Sequence, residues 1–192
     1  APELNFEPEI TPSYHNQHAT AGGAEALQAD DMVQLSPEVL LLAADLEYDY
    51  IAIYNFVRQQ IKQQDYAGSM KGAQGTLASM AGNDVDQAAL LIALLRASQI
   101  PARFVQGVIE LPVESVAASL GLTSPTQVML AMDRSGVAYQ PVIQGGQVKA
   151  IKKQYTWVSA FVPYAHYRGS HNNHSDPVWI PLAPAIKAHE IE

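Results

Sequence analysis

Gly82-Asn83-Asp84-Val85-Asp86-Gln87-Ala88-Ala89-Leu90-Leu91-Ile92-Ala93-Leu94-Leu95-Arg96 leads into Ile100-Pro101-Ala102-Arg103-Phe104-Val105-Gln106-Gly107. A glycine and two residues of helix-capping type open this stretch. Helix formers follow, with Leu or Ile at nearly every position, and a proline then gates a run of strand character. A helix apolar on nearly all sides is buried on most of them, so this one is expected at the centre of a domain. The carboxylate of Asp84 falls at its first turn, where the helix dipole favours a negative charge by about 0.3–1 kcal/mol.

Upstream, Ser36-Pro37-Glu38 has the order of a helix start: a capping hydroxyl, proline at the first helical position, and an acid in the first turn. Asp49 is placed to cap a second helix, in which Tyr50, Ile53, Tyr54, Val57 and Ile61 recur at helical spacing. Between the two parts lies a glycine-rich segment, Asp65 to Gly82, with Gly68, Gly72 and Gly75 inside it. It lacks the Gly-Lys-Ser/Thr ending of a phosphate loop and reads as a tight loop crossing a cleft.

Downstream, Arg103 to Leu111 reads as a strand. Pro112 to Leu120 and Pro125 to Met132 read as two short helices inserted between strands. Val137 to Ile143 and Gln147 to Lys153 flank Gly145-Gly146, a hairpin signal. Gln154 to Val162 alternates cleanly, with Tyr155, Trp157, Ser159 and Phe161 on one face, and Val178 to Leu182 is a last strand. Helices first and strands later predict an α+β domain with a mostly antiparallel sheet.

At 192 residues, 48% hydrophobic and 16% charged, the protein is long enough and apolar enough for one domain with a sizeable core. A net charge of −8 argues against a nucleic-acid surface, which needs a basic stripe. No apolar run is long enough to enter and span a bilayer. The absence of cysteine excludes thiolate chemistry and disulfides. Residues 1 to 50 carry every charge as Asp or Glu, with no Lys or Arg. Their prolines and polar runs predict an extended acidic arm or linker over residues 1–35, ahead of a folded domain over 36–192.

The order of parts resembles the bacterial transglutaminase-like family, which shares the papain-like arrangement. The match is carried by the helix start Gly82-x-x-x-Asp86-x-Ala88 and by Leu94-Leu95-Arg96-Ala97-x-x-Ile100-Pro101-Ala102-Arg103-Phe104-Val105-x-Gly107. Tyr155-Thr156-Trp157-Val158 and Trp179-Ile180-Pro181-Leu182-Ala183-Pro184 add to it. The similarity spans roughly residues 36 to 187. The segments Gly68 to Leu77, Pro163-Tyr164 and Tyr167-Arg168-Gly169 are similar to the module found in large Rhs or YD-repeat cell-surface and toxin-type proteins. The resemblance implies a buried central helix packed on an antiparallel sheet, and a place in a larger secreted or cell-surface bacterial protein.

In active members a cysteine at the helix start, a histidine and an aspartate form the catalytic triad. The matching positions here are Asp84, Tyr155 and Ala183, so all three differ. A glutamate common after the histidine segment is Ser159 here, and the glycine usual before Ile-Pro-Ala-Arg is Gln99.

The expectation is a pseudoenzyme: Asp84 caps the helix, Tyr155 hydrogen-bonds it across the cleft, and Ala183 has no imidazole to orient. Asp86 is expected as a further dipole-matched cap. The residual cleft is expected at Gly82, Asn83, Gln74, Trp157 and Ser159. Its partner would be a polypeptide segment or a neighbouring domain, with no cofactor.

Two other readings stand beside this one. Asp84 could serve a hydrolase or acyl-transfer enzyme as nucleophile or base, although tyrosine, with a pKa near ~10, is a poor base. His166, His171 and His174, in one polar loop beside Asp176, could hold a metal. Arg103 is expected as a buried salt-bridge or carbonyl-binding residue.

Overall fold

Asn83, not Asp84, caps the central helix: its Oδ1 accepts from the Asp86 amide at 2.9 Å, and α4 runs Asp84–Ala97. Every residue from Ala88 to Leu95 is fully buried, as the unbroken apolar run requires. Each of Leu90, Leu91, Ile92, Leu94 and Leu95 contributes about 1.5–3 kcal/mol by leaving water. The computed structural model describes residues 30–163 and 177–186. The arm before residue 30 and the loop carrying His166, His171 and His174 lie outside the described residues.

Three helices surround α4. The first, α1 (Pro37–Asp45), is capped by Ser36, whose hydroxyl accepts from the Val39 amide, and it buries Val39 and Ala43. The second, α2 (Tyr50–Gln60), is capped by Asp49, whose carboxylate accepts from the Ile51 and Ala52 amides. Val33, just ahead of α1, is also fully buried in this core.

The third is a correction. The glycine-rich segment read as a loop contains α3 (Gly72–Ser79). Ala73 and Thr76 are buried on it, and the hydroxyls of Thr76 and Ser79 back-bond to Gly72 and Gly75 carbonyls at 2.6 and 2.7 Å. Two-residue strands β1 (Lys62–Gln63) and β2 (Ala81–Gly82) pair in parallel at its flanks.

The remaining strands form one antiparallel sheet, so the fold is α+β with a mostly antiparallel sheet. The strand predicted after Pro101 is β3 (Ala102–Pro112). Helices α5 (Val113–Ser119) and α6 (Pro125–Ser135) follow, with a small core of their own around Val113, Val128, Met132 and Ile151. Gly145 and Gly146 turn between β4 (Tyr139–Gln144) and β5 with φ of 60° and 74°, the left-handed values a two-residue hairpin needs. The two strands expected on either side of Lys153 are one continuous strand, β5 (Gln147–Pro163). The last strand is β6 (Pro177–Leu182). Val158, Ala160 and Val162 on β5 meet the α4 core.

Pairing along β5 places the site. One edge of β5 is covered by β3 from Ala150 to Ala160. The other edge pairs with β4 as far as Lys153 and with β6 from Val158 onwards. Gln154 to Trp157 therefore lie in a gap between two strands, and the N-terminus of α4 docks there.

Candidate functional site

Asp84 fills that gap. Its Oδ2 accepts from the backbone amide of Thr156 at 2.7 Å, a bond the interrupted ladder would otherwise leave unmade. The residue is 8% exposed. Burial is the main influence on its carboxyl and holds its pKa above the ordinary aspartate value. The nearby Lys153 charge and the amides of Thr156 and Asp84 itself pull the other way without cancelling it. Asp84 is thus not the cap expected from sequence. It is the first residue of the helix, and it ties the helix to β5.

Tyr155 also departs from expectation. Its hydroxyl is buried and, among the described residues, has no hydrogen-bond partner, so it does not bond Asp84. Burial, the nearby Asp84 carboxylate and Tyr54 push its pKa far above that of a free tyrosine. Ala183 is half-buried just past β6. Ser159 is 1% exposed with its hydroxyl also unpartnered. The Trp157 ring closes over Gly107, where a Cβ would stand 2.8 Å from a ring carbon.

Asp86 is the residue that sequence reasoning undervalued. It is fully buried, and its two oxygens accept from Tyr66 Oη (2.5 Å), Ser69 Oγ (2.7 Å) and the amides of Met70 (3.2 Å), Lys71 (3.1 Å) and Gly72 (3.1 Å). Burial alone would raise its pKa, but the Tyr66, Ser69, Met70 and Gly72 bonds outweigh it and hold the carboxyl below the ordinary value. Asn83 completes the clamp, its side-chain amide donating to the carbonyls of Tyr66 (2.9 Å) and Gly68 (2.7 Å). Asp86 is therefore the hub that fastens the glycine-rich segment to α4, more than a dipole-matched cap. The sequence signal was an acid in the first helical turn following a loop rich in glycine and hydroxyls.

Open space lies beside Tyr155. A cavity of about 60 Å³ is walled by Gln63 and Asp65, by Leu111, Ser115, Val116 and Ser119, by Lys153 and Tyr155 on β5, and by Ala185 and Ile186. Gly82, Asn83, Gln74, Trp157 and Ser159 do not line it. Gly82 and Asn83 are buried in the helix start, and Gln74 is exposed on α3 with its amide held by Gln34. Because β5 continues without a break past α5, Lys153 shares the face of Tyr155. Arg103 is half-buried, not buried, with its guanidinium 4.2 Å from the centre of the Trp179 ring. Arg96 donates to the Ala102 carbonyl at 3.0 Å and pairs with Asp30. Among the described residues no cluster of three or more His, Asp or Glu side chains is placed to hold a metal.

The N-terminus of α4 is thus docked into a gap of an antiparallel sheet through the Asp84–Thr156 bond. The family model described as the transglutaminase-like superfamily matches residues 34–160. The chain belongs to that superfamily.

Among solved structures it is similar to the periplasmic domain of TgpA from Pseudomonas aeruginosa bound to ethylmercury. Identity is 16% and the TM-score 0.46, over 85% of this chain and 48% of that one. It is also similar to the same periplasmic domain without that description of a ligand, at 15% identity and a TM-score of 0.45, over 83% of this chain and 45% of the other. The chain spans just under half the length of these neighbours. No curated protein matches it. Among the described residues no helix is long and apolar enough to cross a membrane.

Proposed function

We propose that this is a catalytically silent transglutaminase-like domain, a polypeptide-binding or structural module of a larger secreted or cell-surface bacterial protein of the Rhs/YD-repeat kind. The reading takes Asp84, Tyr155 and Ala183 as the altered positions of a cysteine, histidine and aspartate triad. The observation that carries it is the Asp84–Thr156 bond: the group at the helix start is engaged by the backbone. A thiolate there would be activated by the helix and by imidazole. A carboxylate already bonded to an amide, with a tyrosine of raised pKa at the histidine position, lacks the imidazole base of active members. The experiment is amine incorporation into a glutamine-bearing protein, together with peptide hydrolysis, by the purified 192-residue protein. No turnover above buffer is expected. Turnover abolished by Asp84→Ala in a variant that still folds would overturn the proposal.

One observation favours a second reading. The raised pKa of Asp84 is the property a carboxyl general acid or base needs. An enzyme built on it would show an acid-shifted pH profile and lose activity on Tyr155→Phe.

A further inference from the structure

The cavity under α5 holds a cation that the fold leaves unpaired. Lys153 is 6% exposed, yet among the described residues it has no carboxylate within ion-pair distance and makes no hydrogen bond. Lysine is almost never buried to this degree without a hydrogen-bonded partner, and Asp84 acts on this one electrostatically without forming an ion pair with it. Its Nζ lies 5.7 Å from the centre of the Tyr155 ring. Both residues line the cavity of about 60 Å³, which has room for roughly four water-sized groups.

The rest of the lining defines what would fit. Leu111, Val116, Ala185, Ile186 and the Tyr155 ring make apolar walls, and Ser115 stands exposed at the mouth. An occupant therefore needs one acceptor group of a single negative charge on a short aliphatic stem. Two acids limit that charge: Asp65 lines the cavity, and Asp84 acts electrostatically on the same lysine. Both acids repel any anion, a dianion about twice as strongly as a monocarboxylate, so a single charge held by direct contact with Lys153 is the one best tolerated.

We propose that this cavity is a binding site for one aliphatic carboxylate presented by a polypeptide, ion-paired to Lys153 with its stem against Tyr155, Leu111 and Val116. Such a carboxylate has two sources, the C-terminus of a polypeptide and an Asp or Glu side chain. The assignment rests on the reading of the domain as a non-catalytic binding module and names the chemistry of its partner.

The test is isothermal titration of the 192-residue protein at fixed ionic strength. The probes are acetate, inorganic phosphate, acetyl-Ala-Ala with a free C-terminus, the same dipeptide as its amide, and acetyl-Glu-amide. Acetate should bind saturably and phosphate should not. A gain by the free-acid dipeptide over its amide marks the C-terminus as the source, and a gain by acetyl-Glu-amide marks a side chain. Lys153→Met removes the charge and keeps the stem, and should weaken binding by at least about tenfold, the least expected for a lost hydrogen bond to a charged group. Ser115→Trp blocks the exposed mouth without touching the core and should do the same, with circular dichroism checking both folds. Absence of saturable acetate and peptide binding would overturn the proposal, as would phosphate binding as tightly as acetate. So would unchanged affinity in a folded Lys153→Met or Ser115→Trp. Any of these would leave the catalytic silence intact, because that fails only on turnover.

Discussion

Replacing Asp86 by Asn puts the largest demand on the fold. Asn matches Asp in shape but offers one acceptor oxygen where the wild type offers two, and turns an NH₂ towards groups that are all donors. Five bonds converge on the carboxylate, from Tyr66, Ser69, Met70, Lys71 and Gly72. Hydrogen bonds to a charged group contribute about 1.5–3 kcal/mol each. They do not add, because Ser69 and Met70 are exposed residues that water can reach once the clamp opens. Gly72 is buried and cannot recover its bond in that way. A loss of about 3–5 kcal/mol follows, the range for breaking a buried charge network by removing one partner. That is a large share of the ~5–15 kcal/mol typical of a whole domain.

Urea unfolding at neutral pH, followed by circular dichroism and tryptophan fluorescence, measures it. The pH dependence gives an independent sign. Because the folded state holds the Asp86 carboxyl below its ordinary value, its stabilisation is present above the unfolded pKa of ~3.9 and is lost as pH falls through the lower folded value. The wild type should weaken in that acid window and Asp86→Asn should lose that part of the slope. A variant within about 1 kcal/mol of wild type, with the acid slope unchanged, would refute the role given to Asp86.

Asp84→Asn carries the opposite sign. Burial raises the Asp84 pKa, so its contribution is fully present below ~3.9 and lost as pH rises through the raised folded value. The variant keeps an oxygen for the Thr156 amide, so it should lie within about 1 kcal/mol of wild type at neutral pH and lack that decline; stability curves against pH check it. Tyr155→Phe removes a buried hydroxyl without a partner and should leave the melting temperature unchanged or raise it. Gly107→Ala drives a Cβ to 2.8 Å from the Trp157 ring and should cost about 1–3 kcal/mol with a shift in tryptophan emission.

Elements whose causes are local were legible in the sequence. Ser36-Pro37 and Asp49 announce α1 and α2, because a cap acts on amides two or three residues ahead. The Ala88–Leu95 run announces a buried α4, and Gly145-Gly146 announces a hairpin. The family resemblance located Asp84 at the helix start. What escaped depends on partners distant in sequence. The α3 glycines look like a loop until Asp86, 14 residues beyond Gly72, is seen to anchor that segment. Asp84 looks like a cap until the gap between β4 and β6 along the edge of β5 presents the Thr156 amide, 72 residues away. Lys153 looks like a polar residue on a hairpin strand, and only the cover from α5 and the end of β6 turns it into a cavity wall.

The central claim, that the helix start holds a fixed carboxylate rather than a reactive group, is tested most directly by intact-mass spectrometry. The protein would be incubated with an activated acyl ester and, separately, with glutamine-bearing peptides, and its mass followed over time. The expected result is an unmodified mass at all times, the same as for Asp84→Ala. An acyl adduct that forms on the wild type, maps to Asp84 and is absent from the variant would contradict it.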